Sequence, residues 1–475
     1  MITREREYWE SERNINYITW PSKERQIDLR NYFDARIYDV MQHPFLSSTQ
    51  IEQLKIKRIR ELVKLAYERI PMYREKYDRA GVSPDDIHDL IDFSYFPIIT
   101  KNDLISAFPK ECVDLKRFRQ EELFRTRSSG SSGQVVRLYA DLKAILADTI
   151  QGVRQFYLQS GRKYAKDHKT ALIYTCPWWF SSIGEDYQTY FISSLLASEE
   201  IARILHEIKP SIISCYPSIL NELLPKILDL DSIYLIVVHS EQSSALERED
   251  WSRKLRVPVL DEYSSEEATR IALQFPCGHY HVCEDTVHLE VLHPQTLRPR
   301  PAGESGWVAV TNLLNEAMPV IRYLQGDYAV LGEEQETCYI GWKQVKSIDG
   351  RVNDSFINLS GKQINSGALL DLTYRWMMET EVGIRNFQMI QRYYDEVDIV
   401  IQPKSDEERI YPPLNMLKSW LEMLLGHEVK LTLKLTKELI NDSVKRRPIK
   451  RDFRYDLTSD VKSANEFLLA ARNAT

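Results

Sequence analysis

Four stretches of this chain place reactive or ligand-holding residue types at close spacing. In RTRSSGSSGQVVRLYA, Ser128, Ser129, Gly130, Ser131, Ser132 and Gly133 follow Arg125 and Arg127. Glycines let the backbone turn tightly, and its amides together with serine hydroxyls can wrap phosphate oxygens. A flexible Ser/Gly linker has the same composition, yet linkers rarely interrupt a sheet. The G-x-x-x-x-G-K-[ST] spacing of the other common phosphate loop is absent. DEYSSEE (261–267) groups carboxylates that suit a hard divalent cation; an acidic turn ahead of a helix is the plainer alternative. NDSVKRRPIKRDF (441–453) concentrates cations, as many solvated basic faces also do. FPCGHYHVCED (275–285) offers Cys277, His281 and Cys283, with Cys338 further on. On a strand, His281 and Cys283 share one face, and zinc takes four such nitrogen or sulfur ligands. Buried cysteines without a metal are the alternative.

The elements that must hold these residues can be read from hydrophobic period. Residues 1 to about 110 read as mainly helical. In IEQLKIKRIRELVKLAYERI, Leu54, Ile59, Leu62, Val63, Ala66 and Ile70 fall near helical spacing, and Pro71 ends the run. Between about 123 and 265, TALIYTC (170–176), SIISCY (211–216), LIVVHS (235–240) and VPVLDEY (257–263) read as strands. Helices are expected at 141–159, 199–208, 217–229 and 244–254. Such alternation predicts a mostly parallel sheet covered on both faces, with ligands gathered at the carboxyl ends of the strands. From about 286 the texture turns β-rich. After GRVNDSF (350–356) a helix at 366–380, two strands within 384–402, a helix at 413–426 and a strand at 428–435 are expected. The fold class is therefore α/β: a large N-terminal domain, 1–350, with a β-rich subdomain, and a small separate α+β domain, 351–475.

Composition narrows the classes of function. At 475 residues the chain exceeds one ordinary core. A formal net charge of -7 leaves no basic footprint for nucleic acid. Six cysteines are too few for a disulfide scaffold at this length. The N-terminal MITREREYWESERNINYITW is charged throughout, without the apolar core of a secretory signal. No apolar run approaches about 18 residues. A cytoplasmic protein with neither membrane nor nucleic-acid partner is expected.

The serine-glycine loop resembles the T/S-S-G-T-T-G-K-P loop of the adenylate-forming superfamily, with Gln134 and Val135 in place of Lys and Pro. Its surroundings resemble the branch of phenylacetate-CoA ligases and coenzyme F390 synthetases, and the likeness runs from about Ile51 to Phe453. IPMYREKYDRAGVSPDDI (70–87) and CYPSIL (215–220) are similar to that branch's helical entry and P-S turn. HSEQSS (239–244) sits where the family lines its adenine pocket, with Ser240 and Glu241 as the matches. DEYSSEE is similar to the Y-G-x-[TS]-E element. The resemblance assigns Glu262, Tyr263 and Ser264 to the nucleotide and Glu267 to magnesium, with Glu266 as a competitor. MPVIRYLQGDYAVL (318–331) resembles P-x-x-R-Y-x-T-G-D and implies that Asp327 accepts the ribose hydroxyls, Gln325 replacing the usual Thr. GRVNDSF resembles the interdomain hinge, with Arg351 near ribose or phosphate and Asn353 at the pivot. NDSVKRRPIKRDF looks like the final lysine element, with Val444 for glycine and Lys445 as the catalytic candidate. Many members of the branch carry cysteine-histidine segments of the 275–285 kind, and some hold structural zinc.

The implied activity is ATP- and magnesium-dependent conversion of a carboxylic acid to acyl-AMP, then transfer to CoA or a carrier-protein thiol. PWWFSSIGEDY (177–187) lies after a strand, where the family builds its acid pocket, so Trp178, Trp179 and Phe180 are candidate pocket residues as well as candidate core. The chain looks shortened between Phe191 and Glu199, which weakens the case for phenylacetate itself. AMP transfer to a hydroxyl, and a degenerate nucleotide-binding regulator, remain the alternative functions.

Overall fold

The computed structural model describes residues 15–17, 23–128, 136–174, 182–333, 338–351, 354–360, 363–364, 366–380, 384–403, 414–436 and 447–452. By internal contacts the chain divides into two units. The first comprises Met1–Met41, Ile145–Glu241 and Arg248–Asp261; the second comprises Gln42–Ala144, Gln242–Glu247 and Glu262–Thr475.

In the first unit, strands Thr189–Ser193, Thr170–Tyr174, Ile212–Cys215 and Leu235–His239 pair in parallel in that order, with Ile15–Tyr17 antiparallel on Thr189–Ser193. Each central strand is buried along its whole length and mostly apolar, as burial on both faces favours. One face carries Ala171, Ile173, Ile213, Cys215, Ile236 and Val238 into a core with Ile201, Leu205, Leu220 and Trp251. The helices follow the alternation of the sequence: Leu142–Gln159, Ser198–Ile208, Pro217–Leu223 and Ala245–Leu255. Strand Thr189–Ser193 was not legible in the sequence; it is short, lacks alternation and is bounded by no proline or glycine cluster.

The second unit holds an antiparallel sheet continuing from the end of Val259–Ser265 through Thr269–Gln274, Tyr280–Val282, Gln344–Arg351, Tyr323–Leu331 and Ser305–Asn312 to Val287–Leu292. Its core takes the helix Ser48–Arg69 through Ile59, Leu62, Val63 and Ala66. Most of the expected stripe is therefore on the buried face, but Leu54 is only half-buried, while Ile51 and Lys55 are buried too, the Lys55 ammonium against Glu284. The helix ends at Arg69, just before Pro71, as expected, but Pro71 also opens new helical structure. It occupies the first turn of a second helix, Pro71–Ala80, where its missing N–H costs nothing.

Residues from Phe356 onward form their own core. Strands Lys430–Leu435, Glu396–Pro403, Ile384–Tyr393 and Ile449–Arg451 make a four-stranded sheet packed against helices Ser366–Thr380 and Leu414–Leu425 through Phe387, Ile399, Leu417 and Leu421. The last strand falls inside the basic run and pairs in parallel, Met389 with Ile449. No helix of the described residues is long and apolar enough to cross a membrane.

Candidate functional site

The serine-glycine segment lies between two antiparallel strands, Phe124–Arg127 and Arg137–Ala140, rather than between a strand and a helix. The tetrapeptide RLYA was too short to carry a period, which is why the second strand escaped notice. The Ser128 amide donates to Val136 O at 2.9 Å and the Val136 amide to Ser128 Oγ at 3.0 Å, so the loop is clamped at its base. Ser129, Gly130, Ser131, Ser132 and Gly133 lie outside the described residues.

The DEYSSEE segment is the end of a strand and a turn, not the approach to a helix. Glu262 pairs with Leu273 and Tyr263 with Ala272, and the register slips between Tyr263 and Ser264. A bulge of this kind re-aims side chains. Here the Tyr263 hydroxyl donates to Asp327 Oδ2 at 2.6 Å, joining two residues 64 positions apart. Gln325 Nε2 donates to Ser265 Oγ at 2.8 Å, tying the same two strands together. The two neighbouring carboxylates are held by different donors. Glu266 Oε2 accepts from the Thr126 hydroxyl at 2.7 Å, on the strand that leads into the serine-glycine loop. Glu267 Oε1 accepts from the Tyr323 hydroxyl at 3.2 Å, and Glu267 is buried. Thr126 and Tyr323 were not picked out from the sequence, because nothing in it says that positions 140 and 56 residues away meet these carboxylates.

Asp327 sits half-buried on Tyr323–Leu331, its backbone directly opposite Arg351 on Gln344–Arg351. The Gly-Asp and Gly-Arg segments are thus neighbours across one ladder. Arg322 anchors the strand. It is fully buried, gives Nε and Nη2 to the two Glu290 oxygens at 2.9 Å each, and donates Nη1 to Ser94 O at 2.7 Å. Its φ of 47° is a costly conformation for a side-chain-bearing residue, tolerated where surrounding bonds over-determine it.

Gly350, just before Arg351, has φ +80°, and an added Cβ would lie 2.1 Å from Ser366 Oγ. That hydroxyl is buried and donates to Asp349 O at 2.9 Å, joining the strand to the helix Ser366–Thr380. Gly350→Ala combines a left-handed backbone with a clash, so it is expected to cost about 1–3 kcal/mol. A denaturant midpoint unchanged from the wild type would contradict this account. Asn353 and Lys445 lie outside the described residues, as do Trp178, Trp179 and Phe180. Arg447, two residues beyond Lys445, pairs with Asp354, and Arg447 O accepts from Gln388 Nε2 at 2.9 Å.

In the first unit, Ser240 follows strand Leu235–His239 with φ 68°, and Glu241 Oε2 accepts from the Ser218 amide at 3.0 Å, on the first turn of helix Pro217–Leu223. This joins the HSEQSS and CYPSIL segments.

The cysteine-histidine segment gathers Cys277, His279 and His281, whose ligand atoms all lie within 4.8 Å of one another. His281 Nε2 is 3.8 Å from Cys277 Sγ, and Cys338 Sγ is 3.3 Å from Cys277 Sγ. His281 Nδ1 lies 2.9 Å from Trp342 O, the kind of bond that fixes a metal-binding tautomer. Partial burial and the adjoining Cys338 thiol push the Cys277 thiol up to about 11, and a bound cation would favour its thiolate. These residues fit a zinc ion. Cys283 departs from the expected set: strand Tyr280–Val282 ends before it, and the Glu284 amide turns back to Val282 O at 2.7 Å. His279, two positions before His281, was overlooked although the same period points to it.

No family model matches the chain. Its sequence is 28% identical over 299 residues to phenylacetate-coenzyme A ligase of Escherichia coli, covering 59% of this chain and 67% of that protein. It is 27% identical over 338 residues to the phenylacetate-coenzyme A ligase of Thermus thermophilus, covering 67% and 75%. Its fold matches the crystal structure of 2-hydroxyisobutyryl-CoA ligase in the postadenylation state with a TM-score of 0.73, at 17% identity and 90% and 94% coverage.

Proposed function

We propose that this chain, a relative of the phenylacetate-CoA ligases with the fold of an adenylate-forming ligase, activates a carboxylic acid with ATP and passes the acyl group to CoA. A carboxylate is a poor electrophile; attack of its oxygen on the α-phosphate expels pyrophosphate and leaves a mixed anhydride open to a thiol. Such chemistry depends on alignment and charge neutralisation more than on covalent help from the protein.

The observation that supports this reading best is the convergence of Tyr263 and Asp327 through a 2.6 Å hydrogen bond. It puts a fixed acceptor for ribose hydroxyls beside an aromatic face for a base. In this reading Glu262, Tyr263, Ser264, Asp327 and Arg351 hold the nucleoside, with Ser240 and Glu241 contributing to the adenine side. The 129–133 amides and hydroxyls take the departing phosphates. Glu267 holds magnesium, which neutralises phosphate charge when bound. Lys445 bridges carboxylate and α-phosphate, and residues 351–475 move as a small domain about the 350–353 segment to bring it into place. Trp178, Trp179 and Phe180 line the acid pocket. A carrier-protein thiol is the alternative acceptor.

Exchange of labelled pyrophosphate into ATP over a panel of acids tests the reading. Exchange that appears only with a particular acid supports it. Stable AMP esters of an added alcohol would point instead to adenylyl transfer, and nucleotide binding without turnover to a regulator.

Cys277, His279, His281 and Cys338 make a structural zinc site in this reading, outside the chemistry. Protein purified without added metal is expected to carry one zinc ion per chain. Cys277→Ser should lose it and Cys283→Ser should retain it; equal retention by both variants would remove the assignment.

A further inference from the structure

Three aromatic rings meet at the carboxyl ends of the central parallel strands, and the activation chemistry gives them no role. The ladder pairs Ile173 with Cys215 and Cys215 with Val238. The next residues, Tyr174, Tyr216 and His239, therefore stand level with one another. Tyr174 and Tyr216 join Leu172 and Phe191 in a small cluster separate from the core that holds Ile173, Cys215 and Val238. Their centroids are 4.9 Å apart for Tyr174 and Tyr216, 5.4 Å for Tyr174 and His239, and 5.7 Å for Tyr216 and His239. All three residues are buried, at 4%, 2% and 7% exposure. The imidazole is held in place: its Nδ1 lies 3.0 Å from Ser240 Oγ, and the Glu241 amide returns to His239 O at 2.8 Å. Ligands of open parallel sheets bind beyond these strand ends. In this chain three rings of its own stand packed together at those ends.

We infer that His239, packed with Tyr174 and Tyr216, limits the length of the acid, so that the chain activates short-chain carboxylic acids in preference to arylacetic or medium-chain ones. This rests on the acid-activating reading above. A packed wall yields little to extra volume, because repacking a dense interior is costly. Size discrimination by an apolar pocket runs to about 10–200-fold per methylene group.

The test measures acid-dependent pyrophosphate exchange with propionate, hexanoate and phenylacetate, reading kcat and KM separately. The wild type is expected to favour propionate by kcat/KM. His239→Ala should raise phenylacetate relative to propionate by about tenfold or more, chiefly through KM. A wild type that already favours phenylacetate overturns the inference, as does a folded His239→Ala protein with an unaltered ranking. Should His239→Ala not fold, Tyr216→Leu takes its place with the same expectation, and the wild-type ranking still decides. Absence of exchange with every acid would instead overturn the ligase reading on which the inference stands.

Discussion

Lys445→Ala is expected to lower acid-dependent pyrophosphate exchange by about a thousandfold, the cost of losing one preorganised charge at a developing anion. The carboxylate and the triphosphate both carry negative charge, and their approach must be offset where the new bond forms. The lysine is expected to act in that step alone. Thioester formation from supplied acyl-adenylate should therefore persist in the variant, and this separates a catalytic loss from misfolding. Beyond Lys445 in the chain, Arg447 pairs with Asp354, and strand Ile449–Arg451 is paired beside Ile384–Tyr393. Exchange at the wild-type rate in Lys445→Ala would remove the residue from the mechanism.

Asp327→Ala is the second large effect, expected to raise KM for ATP by about 100-fold with the KM of the acid little changed. A hydrogen bond to a charged group contributes about 1.5–3 kcal/mol, and two ribose hydroxyls are at stake. Tyr263→Phe supplies the comparison. It keeps the ring and removes the 2.6 Å bond that orients the carboxylate, so its effect should be smaller, near the net value of one hydrogen bond, about 1 kcal/mol. Equal losses in the two variants would mean that Asp327 acts through Tyr263 rather than on the nucleotide. An unchanged KM for ATP in Asp327→Ala would dismiss the ribose role.

The elements with a strong period were legible before any coordinates. The helix Ser48–Arg69 and the strands Leu235–His239 and Ile212–Cys215 appear almost where hydrophobic spacing put them. What misled was short or interrupted. Strand Arg137–Ala140 is four residues long, and Tyr280–Val282 ends just before Cys283, which is not in the group formed by Cys277, His279 and His281. Within the candidate site, Tyr263, Asp327 and Glu267 could be named from motif order, whereas Thr126 and Tyr323 could not.

The sequence by itself determined the α/β class, the likeness to adenylate-forming ligases and the identity of the polar residues, because periodicity and residue type are local properties of the chain. Only the tertiary structure decided that Tyr263 reaches Asp327, that Glu266 is held from Thr126 and Glu267 from Tyr323, that Arg322 is buried against Glu290, and that His279 joins Cys277 and His281. The physical reason is strand register. A shift of one residue reverses every side chain on a strand, and the contacts that register creates here join residues up to 140 positions apart, as Thr126 and Glu266 are.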